Sequence, residues 1–179
     1  RSFMETDGYE SKIYFQIENC WLSKYFLIYR LYVFTFKWND NGTQIAFLAD
    51  AQIDGVFELF ISDKDGQTRS LTPGLMAGAG VADGGFEFVA GERIVFNADF
   101  DGSGKNQLYS VSTSGGPITT LNTGATANEE AFFGDISDDR SLILFRSTAE
   151  ATGSERIAYV VPVDGGAAPT RVTPLGFTN

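Results

Sequence analysis

The stretch that decides the fold is residues 38–72, WNDNGTQIAFLADAQIDGVFELFISDKDGQTRSLT. It contains two short apolar strands, 44–49 and 57–62, separated by a loop. The turn at 63–66, Asp-Lys-Asp-Gly, then leads into a third short strand, 68–71. Asn, Asp and Gly readily adopt the positive φ values that tight hairpin turns need. The stretch therefore predicts a small antiparallel meander.

The same unit recurs twice, at a spacing of 49 residues. One anchor is the isoleucine of the first apolar strand, and the other is an aliphatic residue in the next strand. These anchors lie at Ile45, Ile94 and Ile143, and at Leu59, Leu108 and Ile157. The closing apolar residue recurs with small slips, at Leu71, Leu121 and Val172. A period near 50 built only from short strands is typical of propeller blades.

The repeat resembles the WD40-like (PD40) repeat of TolB-type β-propellers. That repeat runs from an aromatic residue through Ser-Pro-Asp-Gly, Ile-Ala-Phe, Glu-Leu-Tyr and Asp-Gly-Gly to Arg-Leu-Thr. The first copy offers Trp38, Gly42, Ile45-Ala46-Phe47, Glu58-Leu59-Phe60, Asp65-Gly66 and Arg69-Ser70-Leu71-Thr72. The later copies offer Arg93-Ile94-Val95-Phe96, Gln107-Leu108-Tyr109, Gly115-Gly116 and Leu121, then Leu142-Ile143-Leu144-Phe145, Ile157-Ala158-Tyr159, Asp164-Gly165-Gly166 and Arg171-Val172-Thr173. The Ser-Pro-Asp-Gly turn is degenerate in all three copies.

The resemblance implies an all-β fold of four-stranded antiparallel blades. We place the blades at 38–72, 86–122 and 131–174, joined by the connections 73–85 and 123–130. One aromatic position recurs in every copy and is expected in the core, at Phe47, Phe96 and Phe145. By the same reasoning, core or near-core positions are expected for Trp38, Phe60 and Tyr109.

Residues 1–37 are an atypical aromatic segment that shows no match to the repeats. The alternation at 12–17 and the β-forming residues at 25–36 favour strands. Three interpretations are open: a degenerate blade, a cap over a sheet edge, or a sequence foreign to the domain. The apolar run at 25–36 is too short to span a bilayer.

Three blades leave apolar sheet faces without neighbours, because propellers close with four to eight blades. The sequence therefore predicts one of three arrangements. The chain is part of a longer protein, residues 1–37 serve as a fourth blade, or the chain pairs with itself. Two copies would supply six blades, the number in TolB-type propellers.

Composition excludes several functions. The net charge of −10, from 23 acidic and 13 basic residues, argues against nucleic acid and anionic membrane surfaces as partners, because both bind basic patches. The absence of histidine excludes a Ser-His-Asp triad, a Cys-His pair and His-ligated zinc. Cys20 is the only cysteine, so no intrachain disulfide forms. The chain opens on Arg1 without a visible signal peptide, which suggests a mature or trimmed fragment.

The residues 99–106, Asp-Phe-Asp-Gly-Ser-Gly-Lys-Asn, resemble the start of a calcium loop. Asp99, Asp101 and Ser103 are the candidate ligands. The acid expected at position 12 of such a loop is absent, since Ser110 stands there, and Lys105 lies inside the loop. A plain Asx-Gly turn and a weak Ca²⁺ site are both open; no other cofactor is expected.

The function that the sequence favours is a non-enzymatic propeller that binds or assembles with protein, either a partner or another copy of itself. The loops 50–56, 98–106 and 147–155 are expected to share one rim, and the candidate binding residues on them are Asp50, Asp54, Asn106 and Glu150. The resemblance implies a periplasmic or extracellular setting in a bacterium. Two alternatives are open: the gating propeller of a prolyl-oligopeptidase-like serine peptidase that lacks its catalytic domain, and a self-assembling fibre subunit.

Overall fold

The computed structural model describes residues 4–7, 10–13, 33–127, 129–150 and 156–173. Near the N-terminus, strand β1 (Met4–Asp7) pairs with β2 (Glu10–Ile13) as an antiparallel hairpin. A 3₁₀ turn covers Gly124–Thr126. Within the described ranges, no helix has the length and apolar character needed to cross a membrane. Cys20 and the rest of 14–32 lie outside the described residues, and so does the hypothesis that this segment forms a blade or a cap.

The other strands form three four-stranded antiparallel sheets, each a meander in chain order. Sheet 1 contains β3 (Val33–Trp38), β4 (Gln44–Ala49), β5 (Glu58–Asp63) and β6 (Thr68–Ser70). Sheet 2 contains β7 (Gly80–Val89), β8 (Arg93–Asp99), β9 (Gln107–Ser112) and β10 (Thr119–Thr120). Sheet 3 contains β11 (Ala131–Ile136), β12 (Leu142–Ser147), β13 (Ile157–Pro162) and β14 (Thr170–Arg171). These sheets confirm the predicted all-β fold of four-stranded antiparallel blades.

The first strands of sheets 1 and 2 begin earlier than the sequence boundaries at residues 38 and 86. β3 starts at Val33, inside the aromatic segment, because Phe34 and Phe36 continue its alternating pattern. β7 starts at Gly80, inside the glycine-rich stretch assigned to a connection. The pairing of β7 with β8 shifts register between Val81 and Phe86, and this irregularity hides the strand from a period-2 pattern.

The three sheets pack face to face in chain order. One face of each sheet carries the recurring phenylalanine, Phe47, Phe96 or Phe145, and we call it the leading face. The opposite face carries Ala46, Val95 or Leu144, and we call it the trailing face. One buried cluster joins the trailing face of sheet 1 to the leading face of sheet 2, and a second joins sheet 2 to sheet 3 in the same way. The backbone repeats the contact: the Val81 amide donates to the Phe57 carbonyl at 2.9 Å, and the Ala131 amide to the Asn106 carbonyl at 2.8 Å.

The recurring phenylalanine is confirmed as core, with Phe47, Phe96 and Phe145 all buried. Each stacks on an aromatic ring of the next strand, and the centroid distances are 5.4 Å for Phe47–Phe60, 5.7 Å for Phe96–Tyr109 and 5.6 Å for Phe145–Tyr159. The core prediction for Trp38 is wrong, since 56% of its surface is exposed. Trp38 lies on the leading face of sheet 1, against which none of the three sheets packs.

Strand register corrects one of the two repeat anchors. Structurally equivalent pairs across the second and third strands are Leu48–Leu59, Asn97–Leu108 and Arg146–Ala158. Ala158, and not Ile157, therefore holds the anchor position in sheet 3. The last strand pair before the loop is Ala49–Glu58, Ala98–Gln107 and Ser147–Ile157, so the chain between the paired residues is one residue longer in sheet 3 than in sheets 1 and 2. A fixed spacing of 49 residues therefore selects the wrong neighbour.

Asn97 ties sheet 2 to sheet 3. Its Nδ2 atom donates to the carbonyls of Ala131 and Gln107, each at 3.0 Å, and its Oδ1 atom accepts from the Phe133 amide at 2.9 Å. Two of these bonds satisfy backbone groups at the edge of β11. Since Asn97 is only 6% exposed, water does not replace them easily.

Replacing Asn97 with leucine, the residue at the equivalent position 48 of sheet 1, is expected to destabilise the fold by about 2–4 kcal/mol. The side chain keeps its approximate size, but the Ala131 carbonyl and the Phe133 amide lose their partners. Urea unfolding followed by circular dichroism measures the change. A loss below about 0.5 kcal/mol, the usual effect of a surface substitution, would contradict this role for Asn97.

Candidate functional site

The turns between the first two strands of each sheet converge at one end of the array, which we call the turn end. The Arg140 guanidinium in sheet 3 pairs with the Asp40 carboxylate in sheet 1. The Arg140 carbonyl also accepts a hydrogen bond from the Ala90 amide of sheet 2 at 3.0 Å. Sheets 1 and 3 therefore meet at this end, although sheet 2 lies between them along the chain. The array is curved around these turns.

The loops 50–56 and 98–106 follow the second strands and lie at the opposite end, which we call the loop end. The connection from sheet 1 to sheet 2 lies there too, since a Cβ atom added at Gly102 would be 3.6 Å from the Gly78 carbonyl carbon. The third predicted loop, 147–155, is described only as far as Glu150. A shared binding rim at the loop end stays a prediction.

The four candidate binding residues differ in how many contacts they already make within the chain. The Asp50 carboxylate lies 3.5 Å from the Gly55 amide within its own loop, and Asp54 is exposed. The Asn106 carbonyl accepts the inter-sheet bond from Ala131. Glu150 binds the Arg171 guanidinium at 2.7 Å. Asp54 is therefore the candidate that projects most plainly toward solvent.

The calcium candidates Asp99, Asp101 and Ser103 form a turn held by backbone amides. Asp99 accepts from the Ser103 amide at 3.1 Å and from the Gly104 amide at 2.6 Å. Hydrogen bonds from the Ser103 side chain, then from its amide, lower the pKa of Asp101. These carboxylate oxygens already have donors, and the described residues contain no group of three or more His, Cys, Asp or Glu that could hold a metal.

Calcium at about 1 mM, the affinity range of weak extracellular sites, is expected to leave the melting temperature unchanged. Asp99→Ala is expected to lower stability by about 1 kcal/mol with or without calcium, because the turn loses two acceptors for backbone amides. Differential scanning calorimetry in Ca²⁺ and in EDTA checks both statements. A melting temperature that rises with Ca²⁺, and stops rising in Asp101→Asn, would establish a calcium site instead.

A tier of charged side chains lies on the first strands of the three sheets, and the sequence analysis missed it. Lys37, Glu87 and Asp135 occupy equivalent positions, since they pair across the sheet with residues 46, 95 and 144. The Lys37 ammonium forms an ion pair with the Glu87 carboxylate across the junction of sheets 1 and 2. Glu87 and Asp135 both line a cavity of about 340 Å³ at the next junction.

The Asp135 carboxylate is exposed, and one of its oxygens accepts from the adjacent Ile136 amide at 2.8 Å. In the order of the sheets, Asp135 is the third residue of the tier, after Lys37 and Glu87. Among the described residues, no cation pairs with it. The spacings from 37 to 87 and from 87 to 135 are 50 and 48 residues, so a search at a fixed period of 49 does not connect the three.

Part of the leading face of sheet 1 is open to solvent. Phe36 is 52% exposed and Trp38 is 56% exposed, and Ile45 beside them is half-buried. We call these three residues the leading patch. They line a cavity of about 230 Å³, together with Ser62 and Lys64.

The trailing face of sheet 3 is also open. Leu142 and Leu144 are each 39% exposed, and Val172 is 52% exposed. In sheets 1 and 2, the residues equivalent to Leu144 and Val172 are almost completely buried, namely Ala46, Val95, Leu71 and Leu121. In the described part of the chain, the array therefore has a partly exposed apolar surface at each end, a leading face on sheet 1 and a trailing face on sheet 3.

Glu58 is a buried acid without a hydrogen-bond partner. It is 2% exposed, it lies opposite Ala49 in sheet 1, and neither carboxylate oxygen has a partner. Burial raises the pKa of its carboxyl above the ordinary value. The equivalent residue in sheet 2 is Gln107, whose amide bonds to Asn122 at 2.7 Å and to the Glu129 carbonyl at 3.1 Å. At this position the polar side chain therefore has hydrogen-bond partners in sheet 2 and none in sheet 1.

No family model matches the sequence, and the search of curated proteins found no match either. The structure is similar to a TolB-type protein of Agrobacterium tumefaciens, with 18% identity, a TM-score of 0.53, and coverage of 79% of this chain and 48% of that one. It is similar to puromycin hydrolase, with 17% identity, a TM-score of 0.53, and coverage of 80% and 22%. It is also similar to TolB from Acinetobacter baumannii, with 17% identity, a TM-score of 0.50, and coverage of 76% and 31%.

The chain spans about half or less of the length of each of these proteins. Identities this low establish the fold alone. The described part of the chain consists of three blades of a TolB-like β-propeller, with a short N-terminal hairpin.

Proposed function

We propose that the chain is a non-enzymatic propeller module that assembles with protein through the leading patch and the trailing face of sheet 3. The observation that carries the proposal is the contrast between equivalent residues. Phe36 and Trp38 in sheet 1 are 52% and 56% exposed, whereas their counterparts Phe86 and Phe88 in sheet 2 are 1% and 7% exposed. The leading face is thus buried in a junction where it belongs to sheet 2 and exposed where it belongs to sheet 1, at the end of the array.

Contiguous exposed aromatic residues are typical of protein interfaces, where phenylalanine and tryptophan are enriched. The two internal junctions support a partner of a particular kind at each end. A leading face packs on a trailing face, through aromatic and aliphatic side chains with a few hydrogen bonds to the edge strand. The proposed partner therefore presents a sheet face of matching character.

The non-enzymatic part of the proposal is supported by the absence of histidine from all 179 residues. The proposed setting is extracytoplasmic, as the resemblance to TolB-type propellers implies. Immunodetection in cell fractions tests that setting, and recovery in the cytoplasmic fraction alone would contradict it.

Sedimentation velocity over a range of protein concentrations tests the assembly function. The wild-type chain is expected to associate reversibly, and the double variant Phe36→Lys/Trp38→Lys is expected to sediment as a monomer. Both lysines stand at exposed positions, so the variant is expected to fold, and circular dichroism checks that it does. Equal sedimentation of the wild type and the variant at every concentration would refute assembly through the leading patch.

A second candidate function is the gating propeller of a larger peptidase. The likeness to puromycin hydrolase favours it, since that match covers 80% of this chain but only 22% of the hydrolase. Sequencing the transcript on both sides of this segment decides the point. A continuous reading frame that encodes a Gly-x-Ser-x-Gly motif and a histidine downstream would support the peptidase, and its absence would exclude this candidate.

A further inference from the structure

We propose that the partner of each open face is the opposite open face of a second copy, so that two copies close head to tail into a ring of six sheets. This inference rests on the proposed function, because it names the partner of the same surfaces. In such a ring, the leading patch of each copy packs on the trailing face of sheet 3 of the other. Each new junction repeats the arrangement of the two internal ones.

Curvature of the array favours a closed ring over a filament. Arg140 of sheet 3 pairs with Asp40 of sheet 1 and accepts a hydrogen bond from the Ala90 amide of sheet 2, so the turns of all three sheets meet at the turn end. Head-to-tail contacts give a ring when the rotation closes, and a filament when it does not. Propellers close with four to eight blades, and the described residues of each copy supply three. Six is the only multiple of three within that range, so a ring built from these three sheets alone needs two copies.

Charge complementarity supports the identity of the partner. At the first internal junction, Lys37 of one sheet pairs with Glu87 at the equivalent position of the next. At the proposed junction, the same geometry brings Asp135 of sheet 3 next to Lys37 of the second copy. Opposite charges therefore meet there. Lys37 would lie between Glu87 of its own chain and Asp135 of the other chain. Asp135, which is exposed in the single chain, would thereby gain a cationic partner.

The trailing face of sheet 3 also has the right chemistry for this junction. Leu144 and Val172 stand where Ala46 and Leu71 of sheet 1 pack against the leading face of sheet 2. The aromatic counterparts on the incoming copy are Phe36 and Trp38. The trailing face of sheet 3 thus offers aliphatic side chains and the leading patch offers aromatic ones, the same combination that packs at the internal junctions.

Charge reversal at the tier tests the proposal, with dissociation constants measured by sedimentation equilibrium. Asp135→Lys places two lysines together and is expected to weaken dimerisation at least about tenfold, the effect of a like-charge contact. Lys37→Glu/Glu87→Lys keeps the internal pair in reversed order but sets two carboxylates against each other at the new junction, so it is expected to weaken dimerisation similarly. The triple variant that combines all three changes restores opposite charges and is expected to restore wild-type affinity.

Glu92→Lys is the matched control, since it makes the same charge change at an exposed turn of sheet 2, which belongs to neither open face, and is expected to leave affinity unchanged. Association that is lost in Phe36→Lys/Trp38→Lys but indifferent to Asp135→Lys would overturn the head-to-tail ring and leave the proposed function standing. A wild-type chain that never associates would overturn the proposed function itself. Open polymers in place of dimers would overturn the closed ring.

Discussion

Phe86→Ala is expected to destabilise the fold by about 3–5 kcal/mol, the usual cost of truncating a buried phenylalanine. Phe86 is 1% exposed in the junction between sheets 1 and 2, and it lies opposite Phe96 in its own sheet. Removing the ring leaves a cavity whose walls belong to two packed sheets. Neither sheet can close the gap without disturbing the other.

Phe36→Ala is the matched control for this prediction. Phe36 holds the equivalent position in sheet 1, opposite Phe47, and is 52% exposed. At concentrations where the chain is monomeric, its truncation is expected to cost less than about 1 kcal/mol, although it weakens association. Urea unfolding at low protein concentration measures both free energies. Equal losses for the two variants would contradict the assignment of one position to a junction and the other to an open face.

Glu58→Gln is expected to stabilise the fold by about 1–3 kcal/mol at neutral pH, because a charged carboxylate buried without a partner is costly. Burial raises the folded pKa of Glu58 above its unfolded value near 4.5. The folded protein therefore binds a proton that the unfolded chain has already released. Stability from this group is greatest below pH 4.5 and is lost as pH rises through the folded pKa.

The difference between wild type and Glu58→Gln is accordingly expected to grow from about pH 4.5 toward neutral pH. Urea unfolding at several pH values measures it. Glu92→Gln, at an exposed turn, is the control for the amide substitution and is expected to change stability at neutral pH by less than about 0.5 kcal/mol. Glu58→Met, which removes every unpaired polar atom at similar volume, is expected to stabilise at neutral pH as well. A Glu58→Gln variant that is less stable than wild type at neutral pH would show that the carboxylate has a favourable role.

The sequence predicts the sheets well wherever the signal is local. Ile45, Ile94 and Ile143 mark the second strand of each sheet, because each stands in a short apolar run bounded by turn residues. The recurring phenylalanines are core for the same reason. A local pattern does not reveal which copy has a neighbour, and the Trp38 prediction failed for that reason.

The candidate surfaces are harder to predict because they depend on contacts between sheets. Lys37 and Glu87 meet across a junction, at positions 50 residues apart, and their pairing follows from packing and not from any motif. The anchor at Ile157 shows the same difficulty within one sheet, since a single extra loop residue moves Ala158 into its place. Asp99 and Asp101 were identified by motif, but only the structure shows that backbone amides occupy their oxygens.

The mass of the wild-type chain in solution tests the central claim most directly, since the claim is that two open faces complete each other. Light scattering on a sizing column, at several loading concentrations, is the measurement. We expect a dimer of about 39 kDa, twice the 19.5 kDa of the chain, that dissociates on dilution. A single species of 19.5 kDa at every concentration would contradict it.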